Sequence, residues 1–154
     1  MKKSAGILLY RFVKKNLEVF LVHPGGPFWK NKDDGAWSIP KGEYDEDEDP
    51  LKAAIREFEE ETGISCNGSF MELQPVKQKS GKLVRAWALE MDLDPALVKS
   101  NLFAIEWPPK SGKTQQFPEV DRGEWFEPSI AKQKINGYQV GLIEQLMEVL
   151  GYSG

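Results

Sequence analysis

The chain is poor in several things that would narrow its function quickly. It has one cysteine and one histidine in 154 residues. Cys66 has no internal disulfide partner, which fits a reducing compartment, and a zinc site of His and Cys ligands has too few candidates. No apolar run approaches the roughly 20 residues a bilayer span needs. The short apolar stretch near the start is interrupted by Arg11, too soon for a secretory leader. A cytoplasmic protein away from membranes is the expectation. Positive charge is scarce too: 20 Lys and Arg face 24 Asp and Glu, a net charge of −4. With no basic stripe interleaved with aromatics, duplex nucleic acid is not an expected partner. Repeats, low-complexity segments and linkers are also missing, so the chain reads as a single domain over 1–154.

What is present is enough for a core: 40% hydrophobic and 11% aromatic residues. AGILLYRFV (5–13) and LEVFLVH (17–23), separated by KKN, predict a hairpin that ends at Pro24, Gly25, Gly26 and Pro27. From there to Lys41 a long loop is expected, with a short extended piece at AWSIP. Two further strands are predicted in ISCNGSFMELQPV and KLVRAWALEMDL. A polar, Pro-rich connection, EWPPKSGKTQQFPEVDRG, then leads to a short strand at EWFEP. The tail is helical, broken at Asn136 and Gly137, with Leu142, Leu146 and Leu150 on one face. This order predicts an α/β fold, a mixed sheet with helices on its faces.

Charge is concentrated in GEYDEDEDPLKAAIREFEEETGI (42–64), which holds ten acidic residues with one Lys and one Arg. Such a run ordinarily forms a solvated helix face, but the spacing argues otherwise. Asp49 followed by Pro50 starts a helix, and Gly63 stops it. Leu51, Ala54, Ile55 and Phe58 form its buried stripe. Glu57, Glu60 and Glu61 fall within about 100° of one another on the same helix. Three carboxylates beside a buried stripe repel one another, and the arrangement calls for a cation. Oxygen-only ligands select a hard ion, magnesium, manganese or calcium. Magnesium is usually held together with substrate phosphates, which lets an acidic protein bind a polyanion.

The same segment resembles, position for position, the box of the Nudix hydrolases, G-x(5)-E-x(7)-R-E-U-x-E-E-x-G-U. Gly42, Glu48, Arg56, Glu57, Phe58, Glu60, Glu61, Gly63 and Ile64 fill it without a departure. The resemblance implies an α/β/α sandwich that hydrolyses a nucleoside diphosphate linked to another group. It implies that Glu57, Glu60 and Glu61 coordinate Mg2+, or Mn2+, with the carbonyl of Gly42, while Arg56 braces them. Glu48 either supports the loop or touches the metal. The acids at 43, 45, 46, 47 and 59 are expected to be solvated. Some family members supply a late glutamate six residues before a Trp. Glu119 matches it, ahead of Glu106 and Glu124, as a metal ligand or base. The water's proton is expected to pass to a carboxylate, Glu57 or Glu60 first.

The substrate is to be read from the loops. Lys41, in WSIPKGE, resembles the branch that cleaves diadenosine polyphosphates and is a candidate phosphate contact. Phe28, Trp29 and Trp37 are candidates to stack on a base. His23, at a strand end, is expected to be structural. A small-molecule nucleotide is the expected partner, a dinucleoside polyphosphate or nucleoside triphosphate. ADP-sugars, RNA 5′ ends and a non-catalytic nucleotide sensor are the alternatives.

Overall fold

The structure, a computed structural model, describes residues 3–153. Its strands are β1 (Lys3–Val13), β2 (Asn16–Pro24), β3 (Lys41–Tyr44), β4 (Met71–Glu72), β5 (Val76–Lys77), β6 (Leu83–Glu90), β7 (Leu102–Glu106), β8 (Thr114–Pro118) and β9 (Val120–Phe126). Its α-helices are α1 (Pro50–Thr62), α2 (Pro128–Lys134) and α3 (Val140–Leu150).

The apolar run of β1 lacks alternation because both of its faces are covered. Ile7 and Leu9 join Ala53, Ala54 and Phe58 of α1 in one core, whereas Leu8 and Tyr10 join Ala131, Leu142, Ile143 and Leu146 of α2 and α3 in the other. The result is the expected sandwich of helix, mixed sheet and helices. The main sheet runs β4-β6-β1-β2-β9, with β1 parallel to β6 and antiparallel to β2. The predicted hairpin forms, turning on Lys14 and Lys15 alone, both at positive φ, with Asn16 already in β2.

The feature that positions the site is a split in this sheet. β2 pairs with β1 only at Tyr10 to Val13 and then diverges. The chain from Ser38 to Tyr44 fills the gap: Ser38 bridges to Val22, the Ile7 amide donates to the Pro40 carbonyl, and β3 pairs with Lys3 to Gly6. The two residues expected to face a phosphate chain and its metal, Lys41 and Gly42, thus sit at the mouth of the split.

Three expectations need correction. ISCNGSFMELQPV is mostly irregular and contributes only the two-residue strands β4 and β5 on β6; Gly68 at φ +139° and Pro75 interrupt any longer ladder. The Pro-rich connection from Glu106 is not only a link: it contains β8, which pairs back on β7 just before it as a ribbon, Phe117 with Phe103 and Gln115 with Ile105. The short strand at EWFEP is the end of the longer β9, which gains its length by pairing along β2.

Candidate active site

Helix α1 begins and ends where local chemistry dictates. The Asp49 side chain accepts from the Lys52 amide, and Gly63 takes the left-handed conformation, φ 73°, donating to the Glu59 carbonyl. Its buried face is turned further toward the acids than the apolar spacing implied. Ala53, Ala54, Phe58 and Thr62 are fully buried, Leu51 and Ile55 only half-buried, and Glu57 is just 9% exposed. A carboxylate is thus drawn into the edge of the core.

Arg56 organises these acids. Its Nε and Nη2 donate to the two oxygens of Glu48 at 2.9 and 3.0 Å, and its Nη1 donates to Glu57 at 2.8 Å and to Glu60 at 3.2 Å. Glu48 is thereby held as a support, its carboxyl kept below the usual range chiefly by Arg56. Gly42 explains itself by proximity: a Cβ on it would overlap the carboxyl group of Glu57. The Lys41 amide donates to Glu61 at 3.2 Å. The acids at 43, 45, 46, 47 and 59 are exposed, as expected.

Electrostatics draws the remaining acids together. Burial, and then the charge of Glu60, hold the Glu57 carboxyl above the ordinary range, against the pull of Arg56. Burial pushes Glu61 up to about 8, despite the Lys41 amide and charge, with Glu57 and Glu119 adding repulsion. Glu119 is raised by burial and then by Glu60. Four carboxylates, from α1 and from the β8–β9 junction, therefore feel one another across one space.

Glu119 is delivered there by main-chain bonds. Its amide donates to the Asn101 carbonyl, its carbonyl accepts from the Gly25 amide, and the Asn101 amide donates to the Glu60 carbonyl at the end of α1. Its competitors lie elsewhere: Glu106 is exposed and accepts from the Lys110 amide, and Glu124 is exposed on β9. His23 is structural, fully buried with Nδ1 2.9 Å from Asp121 and Nε2 2.6 Å from the Lys32 carbonyl, which ties the 24–41 loop to β9.

A cleft of about 240 Å³ opens at this point. Lys41, Glu61 and Glu119 are the charged residues that line it, and Gln78, Asn136, Tyr138 and Trp29 are neutral ones. Of the proposed stacking residues, Trp29 is placed for the role, 41% exposed with the Lys32 ammonium 5.4 Å from its ring centre. Phe28 is 57% exposed but lies outside the cleft, edge-on to Trp107. Trp37 offers no face to a ligand: it is 1% exposed, packed on His23 and Phe126. Its apolar bulk places it in the core beneath the loop. The neutral polar residues of the cleft went unseen in the sequence, where Asn136 and Gly137 marked only a helix break and Gln78 carried no signal.

A family model for the NUDIX domain matches residues 2–146. The chain belongs to the NUDIX domain family. The family's box is intact in this chain, from Gly42 to Ile64. Among solved structures it is similar to a C. elegans Ap4A hydrolase, at 23% identity over 98% of each chain and a TM-score of 0.66. It is also similar to the NUDIX domain of Shewanella oneidensis NrtR complexed with ADP ribose, at 20% identity over 96% of this chain and 87% of that one, TM-score 0.65. At these identities the likeness establishes the fold. A curated octanoyltransferase of Myxococcus xanthus is 32% identical over 101 residues, 66% of this chain but only 25% of that protein's length.

The donor set fits a hard divalent cation: the mutually repelling carboxylates of buried Glu57 and of partly exposed Glu60 and Glu61, beside a glycine cradle. Among the described residues, no three carboxylate, cysteine or histidine side chains are gathered closely enough to hold a cation as they stand. Arg56 binds Glu57 and Glu60 from one side. Among the same residues, no helix is long and apolar enough to cross a membrane.

Proposed function

We propose that the protein hydrolyses the pyrophosphate linkage of a dinucleoside polyphosphate or nucleoside triphosphate with magnesium as cofactor. The observation that carries this reading is the position of Lys41. It lines the cleft with Glu61 and Glu119, one residue before the glycine that cradles Glu57. A phosphate chain longer than a diphosphate meets a cation there, just beyond the carboxylates.

Divalent ions bound to these acids supply an activated water and neutralise the charge of the bridging phosphates. Glu57, Glu60 and Glu61, with the Gly42 carbonyl, hold the ions, and Arg56 fixes the orientation of the acids. The role of proton acceptor moves from Glu57 or Glu60 to Glu119. The first two are engaged by Arg56, whereas the Glu119 side chain has no hydrogen-bond partner among the described residues and faces the cleft. A half-buried carboxylate of raised basicity is suited to taking a proton from water as it attacks phosphorus. Trp29 stacks on the base. The free Cys66 fits a reducing compartment such as the cytoplasm.

The test is phosphate release from diadenosine tetraphosphate, nucleoside triphosphates, ADP-ribose and triphosphorylated RNA with magnesium. Diadenosine tetraphosphate or a triphosphate should be cleaved best. Lys41→Ala should lower kcat/KM for diadenosine tetraphosphate roughly ten- to a hundredfold, about 1.4 to 2.7 kcal/mol, and affect ADP-ribose far less. Equal losses on both substrates would reduce Lys41 to a loop-shaping residue and remove the support for this substrate class.

A further inference from the structure

Tyr138, one of the neutral residues lining the cleft, carries a hydroxyl whose orientation is set by its neighbours. Tyr138 lies in a 3-10 turn, Gly137–Gln139, between α2 and α3. Its neighbour Gln139 is fully buried. The Gln139 Oε1 accepts from the Ile39 amide at 3.0 Å. A main-chain N–H can only donate, so the Gln139 side-chain nitrogen must point the other way. It donates to Ser38 Oγ and to the Tyr138 hydroxyl oxygen, both at 3.0 Å. Ser38 passes its own proton to the Ile39 carbonyl at 2.7 Å, which completes that side of the network. From β5's end, Gln78 Nε2 donates to the same Tyr138 oxygen at 2.6 Å.

A phenolic oxygen that receives two hydrogen bonds has no room to accept a third, and its single proton must go elsewhere. Among the described residues no acceptor takes it, and Tyr138 lines the cleft. We infer that Tyr138 is a fixed hydrogen-bond donor that reads a ring nitrogen or carbonyl on the nucleobase of the substrate. The inference rests on the nucleotide-hydrolase reading above and extends it to the neutral residues that line the cleft. Three features of the cleft favour a base over a phosphate beside Tyr138. The neighbouring groups, Gln78 and Asn136, are uncharged; Val22, Ala36 and Val120 supply apolar surface; and Trp29 offers a ring to stack on. Because the phenol cannot accept, a base edge presenting an amino group at that point leaves two donors opposed and is rejected.

Calorimetric titration with methylene-bridged ATP and GTP analogues, and separately with inorganic tripolyphosphate, tests this without turnover. Both purines carry the N7 acceptor. The wild type should bind at least one analogue more tightly than tripolyphosphate. Tyr138→Phe should weaken that analogue by about tenfold and leave tripolyphosphate within about twofold. Gln78→Leu, which frees the phenol to turn, should weaken the analogue alone and by less. Equal losses on analogue and tripolyphosphate, no loss on either, or a wild type that does not distinguish them would overturn the inference. Phosphate release by the wild type, measured in parallel, reports on the hydrolase reading independently of these binding differences.

Discussion

Helix α1 and the β8–β9 junction both bring carboxylates to one cleft, and they hold them in opposite ways. On α1, capped by Asp49 and Gly63, the acids are set by helical spacing and held through their side chains, Glu57 and Glu60 by Arg56 and Glu61 by the Lys41 amide. At the junction Glu119 is held through its main chain alone, by Asn101 and Gly25, and its side chain has no hydrogen-bond partner among the described residues. The difference follows the work proposed for each. Acids that hold a cation benefit from being pre-oriented, whereas an acid that receives and releases a proton must change its bonds during turnover.

The sharpest way to break this comparison is to neutralise the unclamped acid. Glu119→Gln should lower kcat by about 10²- to 10⁴-fold with a much smaller change in KM, the signature of a lost proton acceptor. Glu106→Gln and Glu124→Gln should leave both parameters within about twofold. A reversed ranking in steady-state kinetics would move the role to another acid.

The clamped acids should fail through geometry as well as charge. Gly42→Ala puts a methyl where the Glu57 carboxyl lies, and a displacement of about 1 Å should cost roughly a hundredfold in kcat/KM. Unchanged kinetics would show that Glu57 moves aside at no cost. Arg56→Lys keeps the charge but loses the forked hold on Glu48, Glu57 and Glu60, and should cost about tenfold with a raised requirement for magnesium. An unaltered magnesium dependence would deny Arg56 its bracing role.

The smallest effect is on stability. The Glu61 carboxyl rises from 4.5 to about 8 on folding, so between those values the folded protein holds a proton that the unfolded chain has released. Stability of the metal-free protein should therefore fall as pH rises through that window. Thermal unfolding in chelator from pH 5 to 8 should show the decline, Glu61→Gln should flatten it, and magnesium should remove it. A Tm that climbs with pH in chelator would contradict the burial of this acid.

Much of α1 was legible because its causes are local. A cap, a stop glycine and carboxylates three and four residues apart interact within a turn or two, whatever the rest of the chain does. The rotation of the buried face toward Glu57 was not, since it depends on how β1 and β3 pack beneath the helix. Trp37 shows the same limit from the other side. A tryptophan in a polar loop carries the same residue-level signal whether it stacks on a ligand or on His23 and Phe126, and packing alone separates the two.

Spacing within the chain thus identified the family and grouped Glu57, Glu60 and Glu61 on α1, because residues on a helix obey the helix's own period. The site around them needed partners distant in sequence. The split between β1 and β2 that seats Lys41, the ribbon whose feet pin Glu119, and the amides of Gln78 and Gln139 that converge on Tyr138 all arise from long-range pairing. Such pairings answer to the packing of the whole sheet, in which no single stretch of residues carries its partner's position.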